Sequence, residues 1–146
     1  MRVAIGSDHG GFLLKEEIKL LLTEMQIEFK DFGAYSADSV DYPDIARALA
    51  LVVAGGEFDR GILLCGTGIG MSIAANKVKN IRAALVHDVF SAVATREHND
   101  SNILCMGERV IGFGLARLIT RTWLTTEFEG GRHARRIAKL EQPEGC

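Results

Sequence analysis

The sequence predicts an α/β protein, a three-layer α/β/α sandwich on a five-stranded parallel sheet. Five short, nearly continuous apolar runs alternate with amphipathic helical segments along the chain, which is the pattern of repeated strand–helix units. The runs carry almost no polar face, as expected for strands that helices cover on both sides. The 146 residues suit one domain, and no low-complexity linker divides residues 1–146.

The predicted strands are the apolar runs themselves. The first is "RVAIGS", which has the composition of a buried strand, and each later run is likewise followed by a helical segment. Their bounds are 2–7, 27–33, 61–65, 82–87 and 102–109.

Apolar residues at helical spacing predict the first two helices. Pro43 suits the first turn of the second helix, and Gly55 with Gly56 suits its end. The apolar stripe of the first helix consists of Leu14, Ile18, Leu21, Leu22 and Met25.

Four further helices are predicted in the second half of the chain. Segments 70–78 and 88–98 give the third and fourth helices, and the basic segment 130–142 gives the sixth. In the sixth helix we expect Ile137 and Leu140 to face the core, with His133 on their side of the helix. The stripe of the fifth helix is Leu115, Leu118, Ile119 and Trp123.

Composition and charge exclude several classes of function. The net charge is -2, without the basic surplus of a nucleic-acid-binding surface, so we expect no nucleic-acid partner. No apolar run reaches the ~18 residues of a membrane span, and the first apolar stretch is too short for a signal peptide. We therefore expect a cytoplasmic protein with no membrane partner. In that reducing compartment the three cysteines are expected to be free thiols; they are Cys65, Cys105 and Cys146.

The residues that follow the predicted strands are the first candidates for a site. In parallel sheets covered on both faces, ligands bind beyond the carboxyl ends of the strands. Catalytic residue types are frequent at these positions, and the topology alone brings them to one edge. The positions are 7–10, the loop up to Asp41 and Tyr42, 65–68, 87–88 and 107–109.

The segment "CGTGIGM", residues 65–71, is the most distinctive of these loops. A dinucleotide fingerprint requires a third glycine where Met71 stands, although Asp88 lies at about the distance of a ribose-binding acid. A P-loop requires Gly-Lys-Ser/Thr, which the chain lacks, and a cysteine phosphatase requires an arginine at position 71. A nucleotide-binding module therefore stays a weak alternative, and the other two are excluded.

Two interpretations of Cys65 remain open from the residues alone. Cysteine is often a buried, inert packing residue, and we assign that role to Cys105 inside the fifth strand. At a glycine-rich helix N-terminus, however, unpaired N–H groups and the helix dipole stabilise a thiolate. The N–H groups of residues 66–70 and the Thr67 hydroxyl would also bind an anionic oxygen. A base beside an anion hole is what enolisation next to a carbonyl requires.

Other polar residues are ambiguous by themselves. His98 in "REHNDSN" is suited to proton transfer near neutral pH, and Asn99 beside it can orient a hydroxyl group, but a solvated turn has the same composition. Asp8 and His9 end the first strand, where a histidine is as often structural as functional. The four histidines show no H-x-x-x-H spacing, so we expect no metal site.

Arg132 and Arg136 lie four residues apart and therefore share one face of the sixth helix. Two arginines on one face can clamp a phosphate group, although a solvated charged face has the same pattern. Arg135 points elsewhere on the helix.

Six segments together resemble ribose-5-phosphate isomerase type B and its galactose-6-phosphate isomerase relatives. This resemblance implies an α/β/α sandwich, a homodimer or dimer of dimers, and cofactor-free interconversion of an aldose and a ketose phosphate through a cis-enediolate. It also favours the catalytic interpretation of Cys65. The segments run in order through nearly the whole chain: "GSDHGGFLLKE", "SVDYPD", "LLCGTGIGMSIAANK", "REHNDSN", "MGERVIG" and "GGRHARRI".

The resemblance implies a role for each matching residue. Cys65 matches the base that moves a proton between carbons 1 and 2, and His98 matches the acid/base that opens the sugar ring. The anion hole is matched by Thr67 with the backbone of Gly66, Gly68 and Gly70. Sugar hydroxyls are matched by Asp8 and Tyr42, with Asn99 beside them. The phosphate contacts are His9, Arg109, Arg132 and Arg136.

The resemblance also implies that one site draws on two subunits, with His98, Asn99 and Arg109 supplied by the partner. The phosphorylated sugar that it indicates is ribose 5-phosphate, in equilibrium with ribulose 5-phosphate. Allose 6-phosphate, galactose 6-phosphate and erythrose or erythrulose 4-phosphate remain alternatives, because the depth of a pocket sets the length of the sugar.

Overall fold

A computed structural model of the chain describes residues 1–142 and confirms the predicted α/β architecture. The strands are Arg2–Ser7 (β1), Glu28–Asp31 (β2), Arg60–Cys65 (β3), Ala83–Leu85 (β4) and Ile103–Gly107 (β5). All neighbouring strands pair in parallel, in the order β2-β1-β3-β5-β4. The strand order reverses between β1 and β3, so the crevice beyond their carboxyl ends is the expected place for a ligand.

Six α-helices lie between and after the strands in the described part of the chain. They are Phe12–Glu24 (α1), Tyr42–Ala54 (α2), Ile69–Ala75 (α3), Val89–Asn99 (α4), Phe113–Thr125 (α5) and Arg132–Leu140 (α6). A 3-10 turn, His9–Gly11, precedes α1. Within residues 1–142, no helix combines the length and the apolar character needed to cross a bilayer.

The sheet separates two apolar cores, which makes the predicted three layers. One core joins α1, α4 and α5 to one face of the sheet, with Trp123 as its largest fully buried side chain. The other core joins α2 and α3 to the opposite face and contains both Cys65 and Cys105. Strands with apolar residues on both faces follow directly from this arrangement.

Several predicted strands are longer than the observed ones. Segment 27–33 narrows to Glu28–Asp31 and segment 82–87 to Ala83–Leu85, because pairing with the neighbouring strand stops at Asp31 and Leu85. Beyond these points the Phe32 N–H still donates to the Ile5 carbonyl at 2.8 Å and the Val86 N–H to the Cys105 carbonyl at 3.0 Å, so the chain follows the sheet edge a little further before it turns away.

The predicted faces of two helices were wrong in part. In α5, Ile119 and Trp123 are fully buried as predicted, but Leu115 is 39% and Leu118 is 50% exposed, and Ala116 and Thr120 are buried in their place. In α6, His133 is buried as predicted, but Leu140 is 70% exposed. The sixth helix packs against α4 rather than on the sheet, so Leu140 has no core to enter.

A buried ion pair fixes the loop that follows β2. The Lys15 ammonium is fully buried and donates to both carboxylate oxygens of Asp31 at 2.8 Å. Burial alone would raise the pKa of Asp31, but hydrogen bonds from Lys15, from the Gly33 N–H and from Lys19 hold that pKa below its usual value. The Ser7 N–H in turn donates to the Gly33 oxygen at 2.5 Å. The pair therefore anchors this loop beside the end of β1.

Candidate functional site

The glycine loop after β3 is built around the Cys65 side chain. Cys65 is the last residue of β3 and is only 6% exposed. Its Sγ accepts a hydrogen bond from the Gly68 N–H at 2.9 Å. Gly68 has a φ of +77°, and a Cβ there would lie 2.9 Å from the Met106 backbone, so this position requires glycine. The local fold thus directs a backbone donor at the thiol.

The second described cysteine has a different environment. Cys105 is completely buried inside β5, and burial, with a smaller effect of Cys65, raises the pKa of its thiol. It is the packing residue that the sequence predicts. Neither Cys65 nor Cys105 forms a disulfide bond, and Cys146 lies outside the described residues.

Thr67 lies at the exposed side of the glycine loop. Its Oγ1 accepts a hydrogen bond from the Ile69 N–H at 3.3 Å, at the start of α3. The backbone of Thr67 packs so closely on the end of β5 that a Cβ at Gly107 would lie 2.6 Å from it. The loop is therefore fixed to the ends of two neighbouring strands, and the Thr67 hydroxyl projects from a rigid backbone.

The turn after β1 lies against the same loop. Asp8 is buried, and its Oδ1 accepts a hydrogen bond from the Gly10 N–H at 2.8 Å, which caps the 3-10 turn. A Cβ on Gly10 would lie 3.1 Å from the Gly66 nitrogen, so the two loops touch through their backbones. His9 is exposed, and its Nδ1 accepts a hydrogen bond from the Val40 N–H at 3.3 Å.

Tyr42 and Arg109 complete this side of the sheet. A Cβ at Gly70 would lie 2.8 Å from the Tyr42 ring, and one at Gly66 would lie 3.2 Å from an Arg109 nitrogen. Both side chains therefore lie over the glycine loop of their own chain. Within one chain Arg109 follows β5 at the same edge as Cys65, whereas the resemblance groups it with His98 and Asn99 of the partner, which stays a prediction.

These residues form what we call the carboxyl-edge group. Its members share the ends of β1, β3 and β5 or the start of α2. They are Asp8, His9, Tyr42, Cys65, Gly66, Thr67, Gly68, Gly70 and Arg109.

Two polar residues at this edge have structural roles that the sequence did not reveal. The Nε2 of His87 accepts a hydrogen bond from the Gly107 N–H at 3.0 Å, and burial lowers the pKa of His87 despite the nearby Asp88. Glu108 accepts a hydrogen bond from the Leu14 N–H at 2.8 Å, at the start of α1. Both stabilise the strand ends that carry the carboxyl-edge group.

The polar turn "REHNDSN" between α4 and β5 is held by buried side chains. Arg96 is 2% exposed and donates to the Asp100 carboxylate and to the Ser101 carbonyl, both at 2.7 Å. The Ser101 hydroxyl accepts a hydrogen bond from the Trp123 indole N–H at 2.9 Å. Asn102 accepts a hydrogen bond from the Arg82 N–H at 2.8 Å. Most of the polar run is thus used by the fold.

His98 and Asn99 are the exposed residues of that turn. The ring of His98 stacks on the ring of His133 from α6, with centroids 4.4 Å apart and an angle of 15° between the planes. This stack places the start of α6 beside the end of α4. Arg132 and Arg136 are both exposed on α6. We call His98, Asn99, Arg132 and Arg136 the amino-edge group.

The two groups lie far apart within one chain. The carbonyl of Asn102, just after the polar turn, accepts a hydrogen bond from the Gly61 N–H at 2.8 Å, near the start of β3. Cys65 lies four residues further along that strand, about 13 Å away at the usual strand rise. Furthermore, α4 packs on the sheet face opposite to the one that carries Cys65. A single chain therefore does not bring His98 or the α6 arginines to Cys65.

A surface cavity of about 670 Å³ also lies at the amino edge. Asn80, Arg82, Asn99 and Glu141 are among the residues that line it, and no member of the carboxyl-edge group does. This cavity is consequently not where chemistry at Cys65 would occur.

Known proteins resemble the chain over nearly its full length. The profile of a family described as Ribose/Galactose Isomerase matches residues 3–140. YwlF of Bacillus subtilis (strain 168), whose name places it provisionally among sugar phosphate isomerases, is 65% identical over 145 residues, which are 99% of this chain and 97% of that protein. Ribose-5-phosphate isomerase B of Escherichia coli (strain K12) is 50% identical over 139 residues, which are 95% of this chain and 93% of that protein.

Solved structures give the same family and a very similar fold. Ribose-5-phosphate isomerase B of Clostridium thermocellum has a TM-score of 0.95 and 54% identity, over 97% of this chain and 95% of that chain. The relatives also include D-erythrulose-4-phosphate isomerase 2 of Mycolicibacterium smegmatis, 44% identical over 88% of this chain and 87% of that protein. The names of these relatives agree on isomerisation of a sugar phosphate and differ in the sugar.

Proposed function

The chain belongs to the ribose/galactose isomerase family, and from that premise we propose that it interconverts ribose 5-phosphate and ribulose 5-phosphate without a cofactor. The observation that carries this proposal is the Cys65 thiol, which lies at the base of a rigid glycine loop within reach of a backbone donor. Relatives named for this reaction, at 50% and 54% identity over nearly the whole chain, support the choice of sugar.

In the proposed reaction Cys65, as thiolate, removes the proton from carbon 2 of the open-chain aldose. The electron pair of that C–H bond forms the carbon–carbon double bond of a cis-enediolate, and the carbonyl oxygen on carbon 1 becomes anionic. The same thiol then returns the proton to carbon 1, while a proton passes from the oxygen of carbon 2 to that of carbon 1. No oxidant or reductant enters, because the aldose and the ketose are isomers.

The glycine loop would stabilise the enediolate oxygen. The Thr67 hydroxyl and those N–H groups of residues 66–70 that do not already donate to Cys65 Sγ or Thr67 Oγ1 lie on a backbone that is fixed against β5 and the Asp8 turn. Preorganised donors of this kind typically contribute ~3 kcal/mol each to transition-state stabilisation. Asp8 and Tyr42 would bind the sugar hydroxyls, since both lie against the same loop.

A second copy of the chain would supply the remaining groups. His98 would open the furanose ring, Asn99 would contact the sugar, and Arg132 with Arg136 would bind the phosphate together with His9 and Arg109 of the first chain. We propose a homodimer, alone or paired as a dimer of dimers, in which each site joins the carboxyl-edge group of one subunit to the amino-edge group of the other.

Exposed apolar side chains near the carboxyl edge support such pairing. Ile69 and Ile73 on α3 are 49% and 57% exposed, Leu85 at the end of β4 is 40% exposed, and Phe90 at the start of α4 is 81% exposed. Apolar patches of this kind mark interaction surfaces more often than isolated exposed residues do. A partner that covers them would approach the Cys65 loop.

The test is a panel of ribose 5-phosphate, allose 6-phosphate, galactose 6-phosphate and erythrose 4-phosphate, assayed with EDTA. We expect the highest kcat/KM for ribose 5-phosphate and no loss of activity with EDTA. A preference for the four-carbon sugar would replace the proposed substrate by the one that the M. smegmatis relative is named for. Loss of activity with EDTA would contradict the cofactor-free mechanism. The expected cytoplasmic location and the absence of a nucleic-acid partner stay predictions.

A further inference from the structure

Three side chains with metal-binding atoms meet beside α6. They are His98, Glu129 and His133, and one ligand atom from each lies within 4.8 Å of the other two. Glu129 directly precedes the turn into α6, and its N–H donates to the Glu97 carbonyl of α4 at 3.2 Å. The backbone that carries Glu129 is therefore fixed to the helix that carries His98.

His133 has an unsatisfied polar atom that points into this cluster. The side chain is buried, and within residues 1–142 its Nε2 has no hydrogen-bond partner. The nearest carboxylate oxygen, Oε2 of Glu129, is 3.3 Å away but lies outside hydrogen-bond geometry. A buried polar atom without a partner is uncommon and calls for a ligand or another explanation.

We propose that His98, Glu129 and His133 bind a divalent transition-metal ion of the Zn²⁺ class. Two imidazoles and one carboxylate with a free fourth position form one of the standard zinc ligand sets. In a tetrahedral site with bonds of about 2.0–2.2 Å, neighbouring ligand atoms are about 3.3 Å apart. The His98 ring stacks on the His133 ring with 15° between the planes, so their in-plane lone pairs do not meet at one point. His98 and Glu129 are exposed, and binding requires the His98 ring to turn out of the stack to close the site onto the buried His133.

The chemistry of the ligands selects the ion. Imidazole nitrogens favour Zn²⁺, Cu²⁺ or Ni²⁺, whereas Mg²⁺ and Ca²⁺ prefer all-oxygen sites. Arg132 and Arg136 lie on the same helix and add positive charge, so binding depends on the two imidazole lone pairs rather than on the charge of the site. The search for H-x-x-x-H spacing in the sequence did not find these three ligands, because the two histidines lie on different helices.

Metal binding would also regulate catalysis, a consequence that rests on the proposed function. A metal ion on His98 occupies the imidazole lone pair that would accept or donate a proton during ring opening. Zn²⁺ would therefore act as a reversible inhibitor, and EDTA would restore the activity. The direct measurement of binding does not depend on this consequence.

The experiment is a titration of the metal-free full-length protein with Zn²⁺ by calorimetry and with Co²⁺ by visible absorption. We expect one ion per chain, and about tenfold or more weaker binding in Glu129→Gln. Glu127→Gln, an exposed acid two residues away, is the matched control and should bind as the wild type does. Glu129 is exposed, so its variant should fold even where a variant of the buried His133 does not.

The Cys65 thiol could also bind Zn²⁺, and variants distinguish binding there from binding at His98, Glu129 and His133. Binding that survives in Cys65→Ser and weakens in His98→Asn supports the proposed site. Binding that is lost in Cys65→Ser, or unchanged in Glu129→Gln, overturns it. If Zn²⁺ binds as proposed and leaves the turnover of ribose 5-phosphate unchanged, the metal site stands and the ring-opening role of His98 is overturned.

Discussion

The carboxyl-edge group and the amino-edge group are built in opposite ways. In the first, backbone approaches backbone so closely that several positions admit no side chain, and Tyr42 and Arg109 cover the glycine loop of their own chain. In the second, buried Arg96 and Ser101 hold a turn from which His98 and Asn99 reach solvent. Under the proposed function, the first would be a half-site closed on itself and the second a half-site offered to another copy of the chain.

The largest expected effect comes from Cys65, the proposed base in the carboxyl-edge group. Cys65→Ala should lower kcat by about 10³-fold, as is typical for loss of a general base, while substrate affinity changes little. Cys105→Ala is the matched control, since Cys105 packs in the same core, and it should keep its kcat. Steady-state kinetics with a calorimetric measurement of substrate binding checks both, and full turnover by Cys65→Ala would exclude Cys65 as the base.

Co-expression of two inactive variants tests the division between the groups directly. Cys65→Ala and His98→Asn chains should each form a poorly active homodimer. Random pairing should restore about a quarter of the wild-type specific activity, because half of the dimers are mixed and each holds one intact site. If every site lies within one chain, the mixture will be no more active than the average of its components.

The proposed role of His98 in ring opening predicts that its loss slows a cyclic sugar more than a sugar that cannot form a ring. His98→Asn should slow turnover of ribose 5-phosphate by about 10²-fold. Erythrose 4-phosphate is the internal control, because its phosphate occupies the oxygen that would close a furanose ring. Rates for the two sugars that fall by the same factor would show that His98 does not act in ring opening.

The proposed phosphate clamp of Arg132 and Arg136 should appear mainly in the KM for the sugar phosphate. Arg132→Ala removes charged hydrogen bonds worth about 1.5–3 kcal/mol, so KM for ribose 5-phosphate should rise by about 10- to 100-fold. Arg135→Ala, also exposed on α6, is the control and should leave KM near the wild-type value. Equal effects of the two substitutions would mean that the helix contributes only general positive charge.

The buried Lys15–Asp31 ion pair, which anchors the loop beside the end of β1, should affect stability more than activity. Asp31→Asn leaves the buried Lys15 charge without its partner, which costs about 3–5 kcal/mol. Because the folded pKa of Asp31 is lowered, its contribution is complete above the usual aspartate pKa and is lost as the pH falls through the folded value.

Urea unfolding from neutral pH to about pH 3 measures this difference. The wild type should lose stability in acid more steeply than Asp31→Asn does. Glu28→Gln, in an exposed pair with Arg2, should unfold almost as the wild type. If the free energy of unfolding depends on pH in the same way for wild type and Asp31→Asn, the Lys15–Asp31 pair is not the source of the acid sensitivity.

The fold and the carboxyl-edge group were predictable because local pattern and topology determine them. Apolar runs and helical stripes gave every strand and helix of residues 1–142, with ends that shifted by a few residues. Once the sheet is parallel, Asp8, Cys65 and Arg109 must share an edge, since each follows the end of a strand.

The location of the amino-edge group was not predictable from the pattern. The position of α6 depends on the His98–His133 stack and on Arg96, whose long-range contacts leave no periodic signal along the chain. The burial predicted for Leu118 in α5 was wrong for a related reason. Leu118 continues the helical spacing of apolar residues and yet faces outward. An exposed apolar residue on an amphipathic helix looks the same in sequence as a buried one.

The contact between Trp123 and Ser101 has a practical consequence for spectroscopy. Trp123 is the single tryptophan of the chain, it is completely buried, and its indole N–H bonds to the turn that carries His98 and Asn99. The Arg96 guanidinium lies 6.0 Å from its ring. Its emission is thus a built-in optical probe of that turn, able to follow partner docking or metal binding in the unlabelled protein.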